Sequence, residues 1–336
     1  MTAEDPPAQG SALPALPDIE TARERISALV HPSPVITSPL LSQRLGRRVW
    51  LKLENLHPPG SFKIRGAANK ILSLDPAARS NGVITSSGGN HGAAVAYVSA
   101  ALGVRAVVCV PENVDPVKLA AITRTGADAI VEGATFDDAV EISLRLAEQR
   151  GLTYVHPFDD PDVIAGQGTI FLEARDQVDD LGLIVAALSG GGLCGGIGIA
   201  AKSMSPEVRV VAASARNAAT MAESVQAGHP VDAVYAESLA EVLVGGIGLD
   251  NRWSFAAVRD HVDEHVLVDE SHLSLAMSFL LRRHRVVVEG GGAAPVASAL
   301  ANLLPEPHEV PGSAVLVVSG GNLDPARVVA LGEPAV

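Results

Sequence analysis

Positive charge is scarce in this sequence. Its 336 residues carry 25 Lys and Arg against 38 Asp and Glu, a formal net charge of −13 at pH 7. Because an acidic surface repels phosphate backbones and anionic lipids, we expect no nucleic-acid partner and no membrane partner. No apolar run approaches the roughly 20 residues of a membrane-spanning helix, and the N-terminus lacks the basic and apolar blocks of a signal peptide. These absences predict a cytoplasmic protein.

Cysteine and aromatic residues are also few. There are 2 cysteines, and aromatic residues make up 3% of the chain. Cys109 and Cys194 lie far apart, so they form neither a disulfide framework nor a metal-binding spacing, and a reducing compartment fits them. The chain is 47% hydrophobic, which is enough for a well-filled core in one large domain or two.

Short apolar runs alternate with Ala-rich stretches along most of the chain. Strands are predicted at 48–54, 82–85, 105–110, 127–131, 183–188, 208–214, 264–269 and 314–319. Helices are predicted at 18–30 (with Asp18 as N-cap), 90–102, 116–125, 135–149, 191–204, 215–227 and 271–283. Strand and helix alternation of this kind predicts parallel sheets with crossover helices. Residues 1–17, rich in Pro and Ala, are predicted to be a flexible tail.

Three glycine-rich motifs follow predicted strands: "SSGGNHG" (86–92), "SGGGLCGG" (189–196) and "SGGN" (319–322). Their separation along the chain suggests two α/β units. Ligands of such folds bind at the carboxyl ends of the strands, so all three motifs are candidate binding loops. Alone, "SSGGNHG" is equally compatible with helix capping, and "SGGN" with a simple turn.

The loop "SGGGLCGG" opens a predicted helix, where backbone N–H groups and the helix N-terminus favour an anion. Its glycines also match G-x-G-x-x-G, but a dinucleotide site needs an acidic residue after the next strand, and Ser214 stands there. A compact phosphate is the favoured ligand, and a tight packing turn is the structural alternative.

Lys63 lies in the segment "GSFKIRG" (60–66), between Phe62 and Ile64. Alone, this pattern is compatible with a lysine whose stem covers apolar surface while its amine reaches water. In an apolar, glycine-walled site, however, desolvation would lower the pKa of the amine and make it a nucleophile.

Four other residues or motifs are weaker candidates. "HVDEH" (261–265) matches the H-x-x-E-H zinc pattern but runs into a predicted strand, so we expect no metal there. Cys194 is expected to be a small buried residue. His91 is expected to be a hydrogen-bonding scaffold residue rather than a general base. Glu289 is read either as a solvated acid at a sheet end or as a functional carboxylate.

Taken together, "GSFKIRGA" (60–67), "SSGGNHG", "HPFDDPDVIAGQGT" (156–169), "SGGGLCGG" and "SGGN" resemble the fold-type II pyridoxal-phosphate enzymes. The resemblance is to their threonine/serine dehydratase and serine racemase branch, and it runs from about residue 18 to 330. It implies an α/β fold like the tryptophan synthase β subunit, with two open, mainly parallel sheets flanked by helices. The larger domain (18–70 and 160–336) would be discontinuous around a smaller mobile domain (71–159).

The resemblance also implies the site residues. Lys63 would bind pyridoxal 5'-phosphate as a Schiff base and later remove the substrate Cα proton. Phe62 would pack beside the ring, Asn90 would bond the ring hydroxyl, and Ser319 would meet the pyridine nitrogen. The phosphate would be bound by the backbone N–H groups of Gly190, Gly191, Gly192 and Leu193. The substrate carboxylate would be bound by Ser86, Ser87, Asn90 and His91.

The implied reaction is α,β-elimination of water from L-threonine, L-serine or a related 3-hydroxy amino acid, giving a 2-oxo acid and ammonia. The alternatives are a serine-type racemase or a β-replacement enzyme on the same scaffold, an inactive ligand-binding relative and a nucleotide-dependent oxidoreductase. A serine rather than a carboxylate at position 319 favours prompt loss of a β-substituent over a long-lived carbanion. The resemblance further implies a homodimer or homotetramer.

The sequence departs from the family pattern in three places. Gly88 stands where serine racemases carry a second acid/base serine, which favours elimination over racemisation unless Ser87 reaches inward. The segment 214–221 has no acidic residue where relatives bind a divalent cation, so no metal site is expected. Gly290 replaces a proline after Glu289. Because the chain ends near the catalytic domain, feedback through a C-terminal regulatory domain is not expected.

Overall fold

The structure is a computed structural model and describes residues 12–331. Within this range ten strands form two sheets. The strands are β1 (Val35–Thr37), β2 (Val49–Leu53), β3 (Val83–Ser86), β4 (Ala106–Val110), β5 (Asp128–Val131), β6 (Thr153–Tyr154), β7 (Leu181–Ala187), β8 (Arg209–Ala215), β9 (Glu264–Val268) and β10 (Ser313–Val318).

Helices surround both sheets. They are α1 (Leu16–Ile26), α2 (Pro39–Leu45), α3 (Lys63–Ser73), α4 (Pro76–Asn81), α5 (Asn90–Leu102), α6 (Pro116–Thr123), α7 (Phe136–Arg150), α8 (Pro161–Gln177), α9 (Gly192–Met204), α10 (Thr220–Ala227), α11 (Trp253–His261), α12 (Glu270–Phe279), α13 (Gly290–Leu300) and α14 (Pro325–Val329). A π-helical turn, Leu280–His284, extends α12.

The larger sheet has the strand order β1-β2-β10-β7-β8-β9, and only the β1–β2 pair is antiparallel. Its central strands are covered on both faces, which is why they read as unbroken apolar runs. The residues of β10 and nearly all of β7 are buried, and α13, built from Gly, Ala and other small residues, is fully buried against them. Because β2, β7 and β10 run parallel to one another, the three loops that follow them leave the sheet at the same edge.

The smaller sheet has the order β5-β4-β3-β6 and is wholly parallel. Its strands lie between residues 83 and 154 of the chain, whereas the larger sheet is built from strands on both sides of that range. Two mainly parallel sheets flanked by helices confirm the predicted fold class. The division at 71–159 remains a prediction, and the predicted tail residues 1–11 lie outside the described part of the chain, as do residues 332–336.

The first helix differs from its prediction. It begins at Leu16 and ends at Ile26, so the helix takes two residues from the predicted tail and stops before residue 30. Asp18 is the third helical residue and not the N-cap, and its carboxylate accepts a hydrogen bond from the Ala15 backbone N–H at 2.8 Å. Pro17 explains the early start, because proline is favoured in a first helical turn.

Helix α3 is fastened to the sheet by a buried ionic cluster, the Arg65 network, which consists of Lys52, Glu54, Arg65 and Glu173. Arg65 donates hydrogen bonds to both Glu54 oxygens, at 2.7 and 2.8 Å, and to both Glu173 oxygens, at 2.6 and 2.8 Å. Lys52 on β2 donates to Glu173 on α8 at 2.7 Å. The network joins β2, α3 and α8 with almost no solvent exposure, and it therefore fixes the first turn of α3 against the larger sheet.

Candidate active site

Lys63 is the first residue of α3, and its amine lies in a largely desolvated position. Burial lowers the pKa of Lys63 to about 8. Its Nζ donates a hydrogen bond to the Pro157 carbonyl oxygen at 2.6 Å and lies 5.2 Å from the centroid of the Phe62 ring. No carboxylate offsets the desolvation in the pKa shift. A substantial neutral fraction near pH 8 makes Lys63 a competent nucleophile and base.

Two chain segments meet beside Lys63. The Phe62 backbone N–H donates to the Ser319 carbonyl oxygen at 3.0 Å, and the Gly321 N–H donates to the Gly60 carbonyl at 3.0 Å. Ser61 and Gly320 form an isolated antiparallel bridge between them. The end of β10, with the largely buried Ser319, is thus held against the start of α3. The structure therefore brings three of the residues predicted from sequence, Phe62, Lys63 and Ser319, to one place.

The glycine loop after β7 lies next to the carbonyl that Lys63 contacts. A Cβ added at Gly190 would come within 2.3 Å of the Phe158 ring, and one at Gly192 within 2.8 Å of the Phe158 carbonyl oxygen. Gly191 adopts a φ of +89°, a left-handed conformation that favours glycine. Helix α9 begins at Gly192, and Leu193 follows in its first turn, so unpaired N–H groups and the helix dipole make this end a seat for an anion.

The motif after β3 supplies polar groups from the smaller sheet. Ser86 ends β3, and its Oγ is buried with no hydrogen-bond partner among residues 12–331. Ser87 is half-buried, and its Oγ accepts a hydrogen bond from the Gly89 N–H at 3.2 Å. A Cβ at Gly88 would come within 2.8 Å of Val114, so this position has no room for a side chain without movement of Val114.

His91 is buried in the first turn of α5. Its Nε2 donates to the Val155 carbonyl oxygen at 2.9 Å, while its Nδ1 is buried and has no partner within the described range. Burial, together with the nearby Lys63 charge, lowers the pKa of His91 to about 3. A neutral, backbone-bonded imidazole agrees with the predicted scaffold role and does not suit a general base at neutral pH.

Asn90 joins the two sheets through side-chain hydrogen bonds. Its Nδ2 donates to Glu289 Oε1 at 2.6 Å, and its Oδ1 accepts from Asn322 Nδ2 at 2.7 Å. Glu289 is buried and not solvated, so the reading of this residue as a solvated sheet-end acid was wrong. Burial raises the pKa of Glu289 to about 7, although the bond from Asn90 opposes the rise. A Cβ at Gly320 would strike Glu289 Oε1, which places this carboxyl directly beside the segment that follows Ser319.

His156, the first residue of the motif "HPFDDPDVIAGQGT", also lies in this site, although the motif alone predicts no role for it. Its backbone neighbour Pro157 accepts the Lys63 hydrogen bond. The pKa of His156 falls to about 4, mainly through burial, with Lys63 lowering it further and Asp159, Asp160 and Asp250 opposing the shift. The signal that could have found it is its position in "HPFDD", four residues before Asp160, the capping residue of the long helix α8.

These residues fit pyridoxal phosphate. The aldehyde has an amine of lowered pKa in Lys63, the phosphate has the α9 N-terminus, and the partnerless Ser86 Oγ offers a polar contact to a ligand. The loop at Gly190 and Gly192 has no space for a Cβ, so only its backbone can approach a bound phosphate.

Two of the four weaker candidates, Cys194 and the zinc-like pattern, have no chemical role in the site. Cys194 is buried in α9, donates its Sγ–H to the Ala187 carbonyl at 3.2 Å, and has a pKa raised by burial, so it is an inert core thiol. His261 ends α11 whereas His265 lies in β9, so the zinc-like pattern is not on one helix. Across residues 12–331 no group of three or more His, Cys, Asp or Glu side chains is placed to bind a metal ion, and no helix is long and apolar enough to span a membrane.

Comparison with known proteins agrees with this geometry. A family profile described as "Pyridoxal-phosphate dependent enzyme" matches residues 26–320. The chain is 40% identical over 311 residues to a "Putative threonine dehydratase" of Sinorhizobium fredii, covering 92% of each protein. It is 39% identical over 310 residues to an "L-threonine ammonia-lyase" of Thermotoga maritima, covering 92% of this chain and 76% of the relative.

Solved structures give the same result. The chain superposes on maize serine racemase with a TM-score of 0.89 and 33% identity, covering 95% of this chain and 97% of that one. The similarity spans the strands and loops that carry the residues described above. The chain is thus a member of the pyridoxal-phosphate-dependent enzyme family, of the fold type shared by threonine dehydratases and serine racemases.

Proposed function

We propose that this protein is an ammonia-lyase that converts L-threonine, L-serine or a related 3-hydroxy amino acid into a 2-oxo acid and ammonia. The observation that carries the proposal is the Lys63 amine of lowered pKa, held between the Phe62 ring and the Pro157 carbonyl beside a glycine-lined helix N-terminus. The two curated relatives named as threonine dehydratase and L-threonine ammonia-lyase support this substrate class.

The cofactor would be held by groups from four segments of the chain, which follow β2, β3, β7 and β10. Lys63 would bind it covalently, with Phe62 beside its ring and Ser319 at its pyridine nitrogen. The N–H groups of Gly190, Gly191, Gly192 and Leu193 would bind the phosphate, and Asn90 the ring hydroxyl. When bound, pyridoxal phosphate withdraws electrons from the substrate Cα and so makes its C–H bond acidic.

The protein's own groups then act on the substrate. Ser86, Ser87, Asn90 and His91, at and before the N-terminus of α5, would bind the substrate carboxylate, which a helix N-terminus favours. The Lys63 amine, released when the substrate amine takes its place on the cofactor, takes the Cα proton. The electron pair of the broken C–H bond forms the Cα–Cβ double bond as the Cβ–O bond breaks. The departing hydroxyl takes up the proton that the Lys63 ammonium gained from Cα and leaves as water, which returns Lys63 to its neutral form. The released enamine adds water and loses ammonia, which gives the 2-oxo acid.

Racemisation is the second candidate, and the similarity to maize serine racemase favours it. It requires a second acid/base group on the opposite face of Cα. Gly88 offers no side chain, and Val114 leaves no room for one. The half-buried Ser87 remains as the group that would have to reach inward. Elimination is therefore the better-supported reaction.

We further propose that residues 71–159 form a small domain that moves against the rest of the chain. The four-stranded sheet lies within this segment. Polar bridges connect its helices to the larger part, namely Asn90 to Glu289 at 2.6 Å and Lys118 to Glu241 at 3.6 Å. Glu241 also pairs with Arg327 at 2.7 Å, beside a cavity of 290 Å³. The solvent-accessible Lys118–Glu241 bridge breaks and re-forms readily, whereas the bond from Asn90 to Glu289 is buried.

We also propose a cytoplasmic homodimer or homotetramer. Cys109 and Cys194 are both free and buried, which suits a reducing compartment. Light scattering of the purified protein tests the assembly, and a single species at the mass of one chain would refute it.

The function is tested by incubating purified, cofactor-loaded protein with L-threonine and L-serine. The expected result is one ammonia for each 2-oxo acid, with a Lys63→Ala variant inactive. Full activity in that variant would exclude the assigned role of Lys63, and accumulation of D-serine as the main product of L-serine would favour racemisation.

A further inference from the structure

The segment His156 to Asp160 is held rigidly at the site by two helix caps. The Asp159 carboxylate accepts hydrogen bonds from the backbone N–H groups of Arg252, Trp253 and Ser254, at 3.0, 2.8 and 2.7 Å, at the start of α11. Asp160 accepts from the first turn of α8 at 2.8 and 3.1 Å. The segment is therefore fixed to two helices of the larger part of the protein, and its side chains are pre-organised.

The hydrogen bonds of His156 determine which of its ring nitrogens carries the proton. Nδ1 accepts from the backbone N–H groups of Phe158 at 3.2 Å and of Asp159 at 2.7 Å. Because Nδ1 accepts two N–H groups, it has no proton of its own, and the neutral ring must be protonated at Nε2. The pKa of about 4 keeps the ring neutral at physiological pH.

The ring orientation is fixed as well. His156 makes edge-to-face contacts with Tyr154, at a centroid distance of 6.0 Å, and with Phe158, at 4.7 Å. Since Nδ1 faces the segment's own backbone, Nε2 on the far side of the ring is turned away from it. Within residues 12–331, Nε2–H makes no hydrogen bond, and the atom is not among the fully buried ones. The structure thus holds a neutral N–H donor, free for a ligand, next to the residue whose carbonyl contacts Lys63.

We infer that His156 is a specificity-determining residue whose Nε2–H donates a hydrogen bond to the 3-hydroxyl oxygen of the amino-acid substrate. The inference rests on the proposed function, because it takes Lys63 as the base at Cα. The hydroxyl oxygen is two bonds from Cα, so it lies among the groups that surround the Lys63 amine. The substrate carboxylate is directed to the N-terminus of α5, which leaves the donor beside Pro157 for the β-substituent.

A fixed neutral donor distinguishes β-substituents without transferring a proton. It stabilises an oxygen acceptor, whereas a chlorine substituent accepts a hydrogen bond poorly and leaves as chloride without one. A site built to bond a hydroxyl discriminates against analogues that lack it, since its own polar group is then left without a partner. His156 should therefore favour L-serine over β-chloro-L-alanine.

The test uses a variant that keeps the segment but removes the donor. In His156→Asn, the side-chain oxygen can still accept the Phe158 and Asp159 N–H groups, as in an Asx-turn, but nothing occupies the Nε2 position. His156→Gln can place an amide N–H near that position. The exposed His229 provides a matched control variant, His229→Asn. For each holoenzyme, kcat and KM are measured with L-serine and with β-chloro-L-alanine, and the melting temperature is recorded as a check of folding.

We expect His156→Asn to lower kcat/KM for L-serine by about tenfold, the value of one neutral hydrogen bond, and to change kcat/KM for β-chloro-L-alanine by less than about threefold. His156→Gln should recover part of the preference for L-serine, and His229→Asn should behave as the unaltered protein. Equal losses on both substrates, or no loss on either, would overturn the inference and leave the proposed lyase function standing. Lack of turnover of L-serine, L-threonine and β-chloro-L-alanine by the unaltered protein would refute the proposed function and the inference together.

Discussion

Replacing Arg65 by Met should destabilise the protein severely. Arg65 is fully buried and donates five hydrogen bonds: two to Glu54, two to Glu173 and one to Thr169. The variant would leave two buried carboxylates with Lys52 and His57 as their remaining basic neighbours. Removing one partner of a buried ionic cluster typically costs about 3–5 kcal/mol, because the remaining charge is left uncompensated.

The loss of stability caused by Arg65→Met should also depend on pH, in a direction that the pKa shifts of Glu54 and Glu173 determine. Burial opposes ionisation of Glu54 and Glu173, but the Arg65 charge and hydrogen bonds hold both pKa values below their ordinary value. In the unaltered protein the stability they contribute is therefore present at neutral pH and is lost as the pH falls. Without Arg65, burial dominates and raises both pKa values, so Arg65→Met should become relatively less destabilising as the pH is lowered toward 5.

Urea unfolding at pH 7.5 and pH 5 measures both effects through the midpoint and the slope. The matched control is Arg105→Met, because Arg105 pairs with Asp128 at 3.0 Å while both side chains are more than half exposed, at 54% and 57%. That pair should contribute no more than about 1 kcal/mol. If Arg65→Met changed the free energy of unfolding as little as the control does, the network would not fasten α3, and the account of how Lys63 is positioned would be wrong.

Three further predictions concern the site itself. Lys63→Ala should lower turnover by at least about a thousandfold. Dialysis should also remove the cofactor from this variant, and the loss is monitored by the visible absorbance of the cofactor. A variant with retained activity would contradict the assignment. Glu289→Gln should stabilise cofactor-free protein by roughly 3 kcal/mol at pH 8 and far less at pH 5. The pKa of Glu289 in the folded protein, about 7, lies above its ordinary value of 4.5. The stability of the unaltered protein therefore falls as the pH rises through this window, whereas glutamine does not titrate. A urea-unfolding difference independent of pH would refute it. Gly190→Ala should weaken cofactor binding by about tenfold in a fluorescence titration, because its Cβ would meet the Phe158 ring, and unchanged binding would show that the loop is not the seat of the phosphate.

Much of the fold was predictable because it depends on local patterns. The alternation of apolar runs and Ala-rich stretches located α5 at residues 90–102 and β9 near residues 264–269, and it identified parallel sheets. The glycine motifs located the loops of the site, because tight turns and close backbone approaches have few other solutions in sequence. The zinc-like pattern at 261–265 crosses from α11 into β9, as the strand predicted after it indicated.

The parts that sequence reasoning missed depend on contacts between distant residues. Helix α8 is buried along most of its length, so it lacks the simple one-sided apolar stripe of a surface helix. The burial of Glu289 follows from packing of α13 against β10 and from its bond to Asn90, 199 residues away. The free Nε2 of His156 depends on backbone N–H groups within its own loop, which no residue pattern specifies.

The most direct test of the central claim is the product balance from L-serine. Purified protein loaded with pyridoxal phosphate is incubated with L-serine, and ammonia, pyruvate and D-serine are quantified in the same sample. We predict ammonia and pyruvate in equal amounts, with D-serine a minor product, because Lys63 is the base and Gly88 provides no second acid/base side chain. D-serine formed in excess over pyruvate, or no consumption of L-serine or L-threonine, would contradict the account.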